Sequence, residues 1–327
     1  MRINSLYVSL VAILLTACTF SGTKKDDHID PGIKTQMHAL NSKLIEGLNE
    51  NNPDKIFSIC SDKLLEKKDD LKNLMQLVKG SLKINDFEIL NEFYQKNAAA
   101  NINTQVLTGR ANNHDYVISY EALNKEMYVS VGYFKDDLYE RSITFIYGKS
   151  GDDWKLNIIN IGVLKIEKKD AFDWYQTAKS NLNKGYLIDA ICNMGIANQL
   201  LRPANQLWQY QNEKEILEFG QKLNTQAYGK YTFPLTVDYV NSKPQIFRII
   251  PQGMKDGYFP LILYTTSINL NDTTRLSKEC DEIHERVGEF FNGIKVNNKM
   301  IFYRAYKSIP NGNESVEQYG FIRKNKE

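Results

Sequence analysis

The chain has 327 residues, 42% of them hydrophobic and 24% charged, ordinary proportions for a folded protein with more than one small core. A formal net charge of +2 supplies no electropositive field, which argues against a nucleic-acid partner, and only 8 prolines argue against long disordered linkers. Of the four cysteines, Cys18 closes an apolar run. Cys60, Cys192 and Cys280 form an odd, scattered set that suits no disulfide framework and reads as small buried apolar side chains.

At the N-terminus Arg2 precedes an apolar stretch from Leu6 to Ala17. A membrane-spanning helix needs ~20 such residues, so this shorter run reads as a signal peptide over residues 1–17. Leu15-Thr16-Ala17-Cys18 resembles the lipobox of bacterial lipoproteins. The resemblance implies that Cys18 becomes the first mature residue, with a diacylglyceryl thioether on its sulfur and a fatty acyl chain such as palmitate on its nitrogen. One myristoyl chain holds a membrane only marginally at ~0.8 kcal/mol per buried methylene, whereas two or three chains hold firmly. The membrane is then a partner through Cys18, and the protein belongs to the bacterial cell envelope, at the outer membrane or a periplasmic face. Acidic residues soon after such a cysteine accompany surface export in some bacterial groups, and Asp26-Asp27 fit that pattern. Residues 18–34 are polar, end at Asp30-Pro31-Gly32, and read as a flexible tether.

Residues 35–166 form the next expected unit. Met37, Leu40, Leu44, Ile45 and Leu48 recur at helical spacing. Asn52-Pro53 opens a second helix with Ile56, Phe57, Cys60 and Leu64 on its apolar face, and Leu71 to Val78 make a third, closed by Gly80. The period then changes to two over Tyr116–Tyr120, Val129–Tyr133 and Ile143–Tyr147, with Asp136-Asp137 and Asp152-Asp153 in the turns. Two stretches, 48–62 and Gly148–Ile161 ("GKSGDDWKLNIINI"), resemble the NTF2-like family. That resemblance implies a curved antiparallel sheet wrapped around three helices with a conical pocket, in a family containing both enzymes and binding modules. Tyr116, Tyr120, Tyr133 and Tyr147 are the pocket-lining candidates, and tyrosines alone suit a half-polar binding pocket. His114 stands beside Asn112-Asn113 in a turn, where a pocket His–Asp pair is not evident, so no catalytic residue is assigned.

Residues 167–224 read as a helical bridge. Phe172, Tyr175, Ala178 and Leu182 form one face, Gly185 a break, and Leu187 to Leu201 a second helix stopped by Pro203. The spacing is somewhat like one tetratricopeptide unit, but a solenoid needs about three. Leu207-Trp208, Ile216-Leu217 and Leu223 predict one more helix. Residues 225–327 read as an α+β unit of order βββ-helix-ββ. Its strands are the alternating Tyr231–Tyr239 run, 245–250, 258–268 and two around Asn311-Gly312; its helix is capped by Asp272 and striped by Leu276, Cys280, Ile283 and Val287. Within "ECDEIHER", Cys280 and His284 are only two ligands, too few for zinc, and no metal or cofactor is assigned.

The expectation is an α+β protein, lipid-anchored in the cell envelope, acting as a binding or scaffolding module for an envelope protein or a small ligand. The alternative is an enzyme with an acid-base or hydrolytic site in the NTF2-like pocket.

Overall fold

Helix α1 (Pro31–Glu50) starts where side-chain chemistry sets it: Asp30 accepts hydrogen bonds from the Gly32 and Ile33 amides, and Pro31 occupies the first turn, where no amide hydrogen is needed. The computed structural model describes residues 22–312 and 315–325. Cys18, with the expected lipobox and signal segment, lies outside the described residues. Short α2 (Pro53–Phe57) and α3 (Asp62–Leu65) precede α4 (Lys68–Ser81). The single helix expected from Asn52 to Leu64 is thus split. Between its halves Leu156 donates to the Ile59 carbonyl (2.8 Å) and accepts from the Ser61 amide (2.9 Å), so local pairing with a strand replaces helical bonds around Cys60.

The main sheet has the order β1-β2-β5-β6-β7, formed by Gly22–Lys25, Glu88–Lys96, Glu126–Asp136, Tyr139–Ser150 and Asp153–Ile166, all neighbours antiparallel. The expected flexible tether therefore ends earlier than Lys34. Gly22 to Lys25 pair with Lys96 to Phe93, and Asp26 accepts from the Glu92 amide (2.8 Å) and from Asn91 Nδ2 (3.1 Å). Backbone pairing and this carboxylate order a segment that has little apolar surface to bury.

Alternation along the strands separates two faces. Tyr94, Tyr128, Phe134, Ile143, Phe145 and Tyr147 pack with Met37, Leu44, Leu48 and Met75 from the helices. Phe93, Met127, Val129, Val131 and Ile146 face the other way, into a second core. That core includes a three-stranded sheet of β3 (Ile102–Leu107), β4 (Tyr116–Ala122) and β8 (Trp208–Tyr210), with β4 central. Helices α5 (Ala171–Asn183) and α6 (Leu187–Gln199) form the expected hairpin, with Gly185 at φ 78 between them. Trp208, expected on a helix, is instead in β8 opposite Ile118, and α7 (Glu213–Lys230) begins only after it.

The third sheet has the order β13-β12-β11-β10-β9, from Gln318–Lys324, Met300–Tyr306, Gly257–Thr265, Gln245–Met254 and Leu235–Thr236. Helix α8 (Thr273–Phe290) connects β11 to its parallel neighbour β12; the other pairs are antiparallel. The βββ-helix-ββ order holds. The first of those strands is only two residues long, because Tyr231, Val237 and Val240 are buried against the core outside any strand. Cys60, Cys192 and Cys280 are buried free thiols.

The protein is mixed α+β with several antiparallel sheets. One apolar core runs from Phe93 through Trp174, Ile196 and Leu223 to Tyr303 and Ala305, so the segments 35–166, 167–224 and 225–327 share it. No helix among the described residues is long and apolar enough to cross a membrane.

Candidate functional site

The turn joining β3 to β4 is built around Asp115. Its Oδ2 accepts the Ala111 and Asn112 amides (3.1 and 2.8 Å), and its Oδ1 accepts the Thr108 hydroxyl (3.1 Å). Burial pushes this carboxyl up, but those hydrogen bonds and the Lys25 charge outweigh it and hold Asp115 below its ordinary value. The turn carries His114 to the start of α5, where Asp170 and Asp173 form a reciprocal cap. Asp170 Oδ1 accepts the Asp173 amide (3.0 Å), and Asp173 Oδ2 accepts the Asp170 amide (3.2 Å).

His114 Nδ1 lies 2.5 Å from the remaining Asp170 oxygen, and the Phe172 ring stands edge-on to the imidazole at 5.5 Å. A carboxylate can only accept, so in the neutral imidazole Nδ1 carries the proton. Nε2 then has its lone pair and no hydrogen-bond partner among the described residues. One imidazole nitrogen and one oxygen each from Asp170 and Asp173 lie within 4.8 Å of one another, a donor set of the type that holds a divalent cation.

These groups edge a cavity of about 490 Å³, lined also by Asn91, Tyr116, Tyr133, Glu140, Trp208 and Tyr210. Tyr116 and Trp208 stack at 3.5 Å with 18° between planes, a rigid aromatic wall. The Tyr116 hydroxyl donates to Asn91 Oδ1 (2.9 Å). The Trp208 indole nitrogen is buried without a hydrogen-bond partner among the described residues. Burial, reinforced by nearby carboxylates, raises the phenols of Tyr116 and Tyr210 well above their ordinary value. Tyr133 is pushed up to about 12, first by its hydrogen bond to Glu88 and then by burial.

Of the four expected lining tyrosines, Tyr116 and Tyr133 reach this cavity and Tyr120 and Tyr147 do not. Tyr120 lies on β4 and donates to Gln95 Oε1 (2.7 Å) between the two sheets. Tyr147 faces the helices and donates to Asn41 Oδ1 (2.7 Å). The reason is parity: Tyr133 pairs with Ser142, and Tyr147 is five positions farther along β6, hence on the opposite face. A pocket His–Asp pair, not evident in the sequence, is present because Asp170 comes from 56 residues away. The local signals were the Asp170-x-x-Asp173 cap and the Asn112-to-Asp115 turn; neither reveals that they meet. Cys280 is in the core and His284 Nδ1 meets the Tyr303 hydroxyl at 2.9 Å, so this histidine serves a different contact.

A second histidine–carboxylate pair lies between α1 and the main sheet. Glu92 Oε1 is 2.8 Å from His38 Nε2 and accepts the Tyr128 hydroxyl at 2.5 Å, while Lys34 Nζ is 3.6 Å from Oε2.

Compared with known proteins, the chain matches no family model, no curated protein and no solved structure.

Proposed function

We propose that this is a lipid-anchored protein of the bacterial cell envelope whose first unit is an NTF2-like binding domain and whose cavity takes a small polar ligand. The observation that carries the reading is the His114–Asp170 pair at the edge of a 490 Å³ cavity that also has the stacked Tyr116–Trp208 wall. Such a site offers an apolar surface for the body of a ligand and a few fixed polar groups for its orientation. The lipobox-like Leu15-Thr16-Ala17-Cys18 supports the anchor.

The acid-base alternative draws on the same pair, because an imidazole oriented by a carboxylate can act as a general base through Nε2. Binding is the better reading. The hydroxyl groups of Tyr116 and Tyr210 are held protonated by burial, the opposite of an activated nucleophile.

The test is native mass spectrometry of the full-length protein purified in mild detergent from its own cells, beside His114→Ala and Cys18→Ala variants. The expected result is a co-purifying small mass that His114→Ala loses, together with release of Cys18→Ala from the membrane fraction. Unchanged membrane association of Cys18→Ala overturns the anchor. Absence of any small bound mass overturns the ligand.

A further inference from the structure

The distance between the lipobox cysteine and the first strand is short. Only Thr19, Phe20 and Ser21 separate Cys18 from Gly22, and four Cα–Cα steps reach at most about 14 Å. Gly22 begins β1, so a lipid on Cys18 has almost no slack before the chain enters the main sheet.

Strand registers place Gly22 at one end of that sheet. Gly22 pairs with Lys96, Lys96 with Glu126, and Met127 with Gly148, which pairs with Lys155. The same end carries the β2–β3 connection (97–101), the β4–β5 connection (123–125) and the β6–β7 turn (151–152). Ala98, Ala99, Asn101, Lys125, Ser150 and Gly151 are exposed there. Lys96, Lys125, Lys149 and Lys155 stand against Glu126, Asp152 and Asp153, a nearly balanced set with Glu126 engaged by the Tyr94 hydroxyl (2.6 Å). The tether, rather than charge, therefore sets the orientation.

The cavity is at the other end of the same strands. Its lining takes Lys25 from the end of β1, Asn91 from the first half of β2, Tyr133 from late in β5, Glu140 from the start of β6 and Lys165 from the end of β7. From Glu126 to Tyr133 the strand rises about 23 Å at ~3.3 Å per residue. The C-terminal sheet joins at this far end as well: the Tyr258 amide donates to Glu167 Oε1 (3.1 Å), and the Tyr258 and Tyr139 hydroxyls lie 3.3 Å apart.

We infer that the 97–101, 123–125 and 151–152 connections rest at the phospholipid headgroups, and that the cavity and the C-terminal sheet are held on the side away from the bilayer. This rests on the lipoprotein reading above. A leash flexible to Lys34 would permit every orientation; a three-residue link ending in a paired strand does not.

The experiment uses full-length protein extracted from membranes, with the Cys18 lipid checked by intact mass. It is reconstituted into vesicles of phosphatidylcholine and phosphatidylglycerol bearing headgroup nitroxides. A fluorophore is placed at Ser150→Cys or at Asn113→Cys, both exposed, while Cys60, Cys192 and Cys280 are buried. Nitroxide quenching is expected to be about threefold stronger at position 150 than at 113, given strand ends separated by roughly 20–25 Å. Inserting about 20 Gly/Ser residues between Ser21 and Gly22 adds a reach of about 25 Å and should bring the two positions toward equality. Equal quenching in the lipidated, uninserted protein overturns the orientation while leaving the anchor standing. Finding Cys18 without lipid overturns both.

Discussion

His38 and His114 are about equally exposed, at 43% and 46% of the side chain, and each meets a nearly buried carboxylate, Glu92 at 3% and Asp170 at 8%. Their surroundings differ. Glu92 is claimed by His38 and Tyr128 on one oxygen with Lys34 near the other, beneath α1. Asp170 holds one backbone amide and His114, and both residues border a cavity. A histidine–carboxylate pair is therefore a strut in one place and, in the function proposed above, a recognition element in the other. What decides is whether neighbouring elements use up the remaining valences.

Removing the strut should cost most. Glu92→Ala leaves the Tyr128 hydroxyl buried without its acceptor and is expected to destabilise by about 2–3 kcal/mol, read by urea unfolding. A loss below about 1 kcal/mol would erase the distinction between the two pairs. Asp170→Ala removes a helix cap and should cost only about 1–2 kcal/mol, yet abolish retention of the proposed cavity ligand in native mass spectra. The histidines themselves should diverge similarly. His38→Ala is expected to cost about 1 kcal/mol and His114→Ala under about 0.5, with only the latter losing ligand.

A third buried carboxylate, Glu279, sharpens the contrast because no cation among the described residues pairs with it. Burial raises Glu279 above the ordinary carboxylate range, while hydrogen bonds from Ser242 and Thr266 pull it back partway. With the folded value above the unfolded one, its contribution to stability is fully present below the unfolded pKa. That contribution is lost as pH rises through the folded value. Glu279→Gln should flatten this decline, a modest change seen by comparing urea midpoints at mildly acid and neutral pH. An unaltered pH slope would show that the carboxyl titrates alike in both states.

Periodicity was sufficient to find α1, α4, α5, α6 and α8 and most of the long strands, because each repeats its apolar residues at its own period over several turns or pairs. It failed where pairing with a distant strand overrides a short pattern. Trp208 joins β4 over three residues, too few to display alternation, and Cys60 leaves its helix to meet Leu156. The early ordering at Gly22 was hidden because it depends on hydrogen bonds to β2 and on Asp26, not on apolar residues. Tyr116 and Tyr133 border the cavity, whereas Tyr120 and Tyr147 serve other contacts. The register that sends Tyr133 and Tyr147 to opposite faces, and the meeting of His114 with Asp170, are tertiary facts that no local spacing encodes.

The pairing of β1 also has a mechanical side. A chain held by lipid at Cys18 and drawn outward at the far end of the sheet is pulled along the axis of β1, antiparallel to β2. The four registered pairs from Gly22 to Lys25, and the Asp26 clasp on Glu92 and Asn91, then share the load in shear instead of opening one after another like a zipper. With the proposed lipid on Cys18, the first strand, which adds little to the core, would resist tearing of the protein from that anchor.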